Sequence, residues 1–199
     1  MTVRSVRNVA VPNFPVASPV YSKPNQDQFI NVLRLHLNNI ANNINAPKVH
    51  GSFYDTTTQT NPVADAENLM TFDSVVMAYG TKIGSPTSRI YVAETGVYNI
   101  QFSAQMDKSG GGADPAYIWL KVNGTTVANS ASKIVISGPN AETIAAWNFV
   151  IILTGNSYFE LAWSSPDTTM LILHEAAADP VPAIPSVILT VTWVSNIPV

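Results

Sequence analysis

The longest clean alternation in the chain runs through GVYNIQFSAQMD. Tyr98, Ile100, Phe102, Ala104 and Met106 fall on one side, and Asn99, Gln101, Ser103 and Gln105 on the other. A period of two sends one set into a core and the other towards water, so the stretch predicts a β-strand. YIWLKVNGTTVANS reads as a strand, an Asn123-Gly124 turn and a short return strand, Asn-Gly being the strongest short hairpin signal. Two more strand-like runs, AWNFVIILTGNSYFELAWSS and PSVILTVTWVS, enclose or follow turn signals at Gly155-Asn156 and Pro166-Asp167. From Val49 onward, about eight to ten short strands with frequent turns predict a mainly β, antiparallel sandwich or jelly roll. WNFVIIL and VILTVTWV are apolar on both strand faces. One face of an antiparallel sandwich normally meets water, so these runs predict an outer face covered by neighbouring subunits.

Ahead of the β region the period changes. Ile30, Leu33, Leu37, Ile40 and Ile44 recur at spacings of three and four, a heptad seam that predicts a helix over residues 25–46. Asn25 with Gln28 gives a capping signal at its entrance, beside Pro24. Phe29, Val32 and Leu35 widen the apolar face, and Asn fills much of the rest. An Asn-rich helix of this length is poorly stable alone in water. It needs either its own domain or copies of itself to pack on. The strict seam, and Pro47 separating it from the β region, favour a short parallel bundle, and mixed Ile and Leu do not insist on a dimer.

Residues 1–24 carry Pro12, Pro15, Pro19 and Pro24, which hold the chain extended. A solvated tail would leave Val9, Val11, Phe14, Val16, Val20 and Tyr21 facing water. The sharper reading is an arm lying along another protein. The chain therefore reads as an arm (1–24), a stalk helix (25–46) and a β head (47–199).

Composition narrows the chemistry. With 199 residues, the chain has room for one sizeable domain plus extensions. Only 12% of residues are charged and the net charge is −3, which argues against a nucleic-acid-binding basic face. The absence of cysteine excludes a disulfide framework, a thiolate zinc site and a thiol nucleophile. No apolar run reaches the ~18 residues of a membrane span, and prolines break up any signal-peptide core, so no membrane insertion is expected.

No catalytic motif stands out. There is no G-x-S-x-G, no H-E-x-x-H and no phosphate-binding glycine loop. Ser109-Gly110-Gly111-Gly112 leads into Asp114-Pro115 and reads as a hairpin tip. His36 reads as a helix-flank residue, His50 as a junction residue, and His174 alternates faces with Glu175, so none makes a dyad. Glu142, Glu160, Glu175, Asp167 and Asp179 are scattered, with nothing to join any two into a glycosidase pair. Asp107 and Asp114 bracket the glycine loop as weak calcium candidates, without EF-hand spacing. No enzyme activity, cofactor or metal is expected. Trp119 and Trp163 read as core residues. A ligand site, if present, is expected on the loops 107–114, 138–142 and 164–168.

The order RIYVAETGVYNIQFSAQMD, YIWLKVNGTTVANS, AAWNFVIILTGNSYFELAWSS, IPSVILTVTWVS resembles the C1q/TNF-like jelly roll over residues 50–195. Gly96-Val97-Tyr98, Lys121-Val122-Asn123-Gly124, Gly155 ahead of Tyr158-Phe159-Glu160-Leu161, and Pro185-Ser186 carry the likeness. It implies a homotrimer formed through aromatic and aliphatic residues of the inner sheet. The two-sided strands offer Trp147, Phe149, Ile151, Val191 and Trp193 for that role. The stretches GSFYDTTTQTNPVADAENLMTFD and SPDTTMLILHEAAADPVPAIPSV, with the upstream DQFINVLRLHLNNI, look like the version in structural proteins of bacteriophages, especially marine cyanophages. No collagen repeat and no signal peptide is evident, unlike in animal members. The resemblance implies a fibre, spike or decoration protein of a virion, made in the host cytoplasm. Its arm would dock on other virion proteins of capsid, neck or tail. A host-surface or glycan-binding module is the alternative.

Overall fold

A computed structural model describes residues 12–16, 19–20, 22–45 and 48–197. The chain divides into two compact units, Ser5–Pro47 and one built on Lys48–Val199. The first contains the helix α1 (Lys23–Asn45). It starts two residues before the Asn25 capping signal: Ser22 accepts the first helical bond, from Gln26 N–H at 3.1 Å. The Asn25 side chain instead donates to Val16 O at 3.1 Å. The first turn carries no acidic residue and the last no basic one, so the helix dipole is left uncompensated.

The second unit is mainly β, with antiparallel sheets in a sandwich-like arrangement. Its strands are β1 (His50–Asp55), β2 (Gln59–Thr60), β3 (Asn68–Leu69), β4 (Ser74–Tyr79), β5 (Thr81–Ile83), β6 (Ile90–Val92) and β7 (Gly96–Lys108). They continue with β8 (Ala113–Val122), β9 (Thr125–Thr126), β10 (Ser132–Ser137), β11 (Ala141–Leu153), β12 (Tyr158–Ser164), β13 (Met170–Ile172) and β14 (Val187–Ser195). One sheet runs β11-β7-β14-β1-β4, with β13 continuing beside the end of β7 and β2 pairing β13. The other runs β10-β8-β12-β6-β5, with β9 beside β8 and β3 beside β12. Neighbours in both sheets are distant in sequence, so pairing rests on tertiary contacts as much as on hairpins.

The expected alternation holds in β7. Tyr98, Ile100, Phe102, Ala104 and Met106 are buried, and the other sheet meets them with Ile118, Leu120, Phe159, Leu161 and Trp163. Two turns show why their glycines are there. Asn123 and Gly124 have φ of 50° and 80°, the left-handed pair a tight hairpin between β8 and β9 requires. At Gly96, a Cβ would sit 2.2 Å from Trp193 Nε1 and 2.7 Å from Ser195 O, so glycine lets β14 cross at this point.

Candidate functional site

The outward positions of the β11-β7-β14-β1-β4 sheet form the most unusual surface of the β unit. Register aligns Ile144 with Gln105, Ala146 with Ser103, Asn148 with Gln101, Val150 with Asn99, and Ile152 with Val97. On the other side of β7, Ile188, Thr190 and Thr192 lie opposite Ser103, Gln101 and Asn99. Next come Tyr54, Ser52 and His50 of β1, then Met77 and Tyr79 of β4. Apart from Asp107 and Glu142, side by side at one end, none of these outward positions has an acidic or a Lys/Arg side chain. The face is polar along its middle, where Asn148 donates to Asn99 at 3.1 Å, and apolar along both margins. Ile144, Val150 (65% exposed) and Ile152 line the β11 margin; Met77 (55% exposed) and Tyr79 line the β4 margin, with Val75 and Val76 also exposed on this edge strand beside its register shift. β4 is also an edge strand without a charge, pairing only β1, which is a template for further association.

The five strand residues offered for a subunit interface lie on the inward register. Trp147, Phe149, Ile151 and Trp193 pack partly buried against the core, and Val191 is fully enclosed. Phe102 holds Trp147 edge-on at 4.7 Å and Phe149 stacked at 6.2 Å. Two-sided apolar strands have two registers, and the core takes the aromatic one. Ile144, Val150, Ile152 and Ile188, on the other register, are the exposed ones.

The helix is exposed in its own unit. Ile30, Leu33 and Leu37 are exposed and Ile40 is half-buried, while the side chain of Ile44 lies outside the described residues. Of the arm residues, Val9, Val11 and Tyr21 also lie outside them. Val16 and Val20 are exposed, but Phe14 tilts against Phe29 with ring centroids 5.1 Å apart. This aromatic pair and the Asn25–Val16 bond tie residues 14–16 to the first turns of α1.

The three nominated loops meet at one end of the β unit, around a residue the sequence reading passed over. Strand β7 runs to Lys108 and β8 starts at Ala113, so the glycine loop shortens to 109–112. The Lys108 side chain is 0% exposed, in direct contact with Asp114 Oδ2 and 3.5 Å from Asp167 Oδ2. The bond from Asp114 pushes the Lys108 ammonium up from its ordinary value, against its burial. Asp167 is held below the usual carboxylate range chiefly by the Thr169 N–H, 2.8 Å away, with Lys108 adding to it. Gly110 N–H donates to Thr169 Oγ1 at 2.9 Å and Gly138 N–H to Gly112 O at 2.7 Å, closing the loops together. Asp114, the nearer calcium candidate, thus already holds a cation. Among the described residues, no three His, Asp or Glu side chains cluster to hold a metal.

The remaining candidates take structural partners. His50 Nδ1 is 2.7 Å from Lys48 O, and His174 Nδ1 is 2.9 Å from Ile184 O. Glu160 is buried, accepts from Ser88 Oγ at 2.8 Å and pairs with Arg89 at 3.5 Å. Trp163 is fully buried as expected, whereas Trp119 is half-buried on the outward side of β8. No helix among the described residues is long and apolar enough to cross a membrane. No protein-family model matches the chain, and no curated protein matches it in sequence.

Proposed function

We propose that the protein is a non-enzymatic structural component of a phage virion: a homotrimer with a C1q/TNF-like jelly-roll head, a short three-helix stalk and an N-terminal segment that docks on neighbouring virion proteins. The observation that carries this reading is the outward face of the β11-β7-β14-β1-β4 sheet, charged only at Asp107 and Glu142 among the described positions, with its two apolar margins. Exposed apolar margins on a face with so few charges mark an interaction site. The margins differ, one made by β11 and the other by β4, so copies associate heterologously, β11 of one against β4 of the next. A heterologous contact closes into a ring when its rotation allows. The polar middle, with Asn99, Gln101, Thr190 and Thr192, then faces the symmetry axis. The exposed helix seam asks for the same partners in equal number, which supports three copies of one chain. The strand order supports a jelly roll, whose sheets interleave strands in this way.

Light scattering tests the trimer. The full chain is expected at about three times 21.4 kDa, and the head from residue 48 onward is expected to stay trimeric. A monomer in both would overturn the reading. The natural absence of cysteine permits a second test. Val150→Cys with Met77→Cys is expected to give disulfide-linked ladders ending at the trimer, and Val150→Cys alone none. Linked dimers from the single variant would mean an isologous contact instead. Removing residues 1–24 is expected to leave a trimer that no longer incorporates into particles.

A further inference from the structure

The outward face of the second sheet has the opposite chemistry, and we infer that it binds an acidic oligosaccharide. Of the six Lys and Arg side chains from Lys48 onward, Lys108 is buried, and four of the other five lie on this face: Lys82, Arg89, Lys121 and Lys133. They alternate with aromatic rings. Lys82 Nζ lies 5.5 Å from the centroid of the Tyr91 ring, Arg89 Cζ 4.5 Å from that of Tyr158, and Lys133 Nζ 5.9 Å from that of Tyr117. Tyr91 and Tyr158 sit opposite each other on β6 and β12, with centroids 5.3 Å apart. Tyr117, Trp119 and Lys121 follow one another at alternate positions of β8, roughly 7 Å apart along the strand. The result is a row of rings and cations crossing the sheet from β5 to β10.

Two features point to the ligand. Arg89 and Lys121 have carboxylate partners in Glu160 and Glu67, but among the described residues Lys82 and Lys133 have only their rings. Both are exposed at opposite margins of the row, each free to take a carboxylate in a charge-assisted bond. Between them Tyr117, exposed, and Trp119, half-buried, offer aromatic surface that suits the C–H faces of sugars. Acid groups spaced by neutral sugar faces match that order of cation, ring and cation. This inference goes beyond the structural role proposed above, and it does not depend on the number of copies.

The test uses the full-length chain and a short oligogalacturonate, with dextran as the neutral control and poly-glutamate as the non-sugar anion, followed by calorimetry. The oligogalacturonate is expected to bind, weakening as salt rises, while dextran and poly-glutamate do not. Lys82→Gln/Lys133→Gln is expected to weaken binding about tenfold or more, through loss of two charge-assisted contacts. Tyr117→Ser is expected to weaken it at all salt concentrations, its unchanged melting temperature showing that the fold survives. No binding, equal binding of dextran or poly-glutamate, or binding indifferent to these substitutions would each overturn the assignment.

Discussion

The two outward faces of the sandwich are built from the same strand geometry and opposite side chains. On the β7 sheet, only Asp107 and Glu142 interrupt a surface of Ile, Val, Met, Tyr, Asn, Gln, Ser and Thr. On the β8 sheet, four cations stand on or between aromatic rings, and Glu160 and Glu67 balance two of them. A charge costs much to desolvate unless it is paired. Losing water against another protein would therefore cost the first face less than the second, which is better suited to keep its water or exchange it for a polar ligand. In a chain with so few charges, their segregation says more than their number.

The largest effect that would break this contrast is dissociation. Val150→Asp alters a side chain that is 65% exposed in the isolated chain, so folding tolerates it. In the assembly it would desolvate one unpaired charge per copy, at several kcal/mol. The mass is expected to fall to 21.4 kDa with the melting temperature of the monomer intact. An unchanged mass would remove the β11 margin from the interface.

Next is the Lys108 cluster beneath the loops. Asp167 lies below its unfolded value, so its contribution is full above the usual carboxylate range and is lost as pH falls through its lowered folded value. Lys108 lies above its unfolded value, so its contribution is full below the usual lysine range and is lost as pH rises through its raised folded value. Stability should be flat between those limits and fall on either side. Lys108→Met leaves Asp114 and Asp167 without their cation, and is expected to lower the melting temperature across the plateau and remove the alkaline edge, while the acid edge persists through the Thr169 N–H. Melting scans against pH check this, and a curve parallel to wild type would deny the cluster its role.

A smaller effect concerns the stalk. In the proposed three-helix stalk, Leu37→Asp would remove seam burial worth about 1.5–3 kcal/mol per chain and put like charges at the axis. Circular dichroism is expected to lose helical signal while the head stays trimeric. The smallest effect sharpens the contrast from the other side. Lys133→Glu, on the charged face, is expected to change stability by no more than about 0.5 kcal/mol and to leave the mass unchanged.

Much of this architecture was readable from pattern. Alternation in residues 96–108 assigned a strand and its buried side, and Asn123-Gly124 announced a hairpin, because both signals are local. The helix was equally legible, with an error of two residues at its start. Lys108 was missed although a local signal marks it: it continues the buried register of Tyr98 to Met106, where a lysine needs carboxylates nearby. Its partners were not legible, because Asp167 lies far along the chain and only folding brings it to β7.

The sequence by itself determined that strands such as β11 and β14 are apolar on both faces, and that cations are few. It could not determine which register turns outward, since a strand's alternation is symmetric until another sheet packs on one side. Tertiary packing made that choice, taking Trp147, Phe149 and Val191 inward and leaving Ile144, Val150 and Ile152 outside. It also gathered Lys82, Arg89, Lys121 and Lys133 onto one face, because the consecutive β5 and β6 meet β8 and β10 only through β12 of the same sheet.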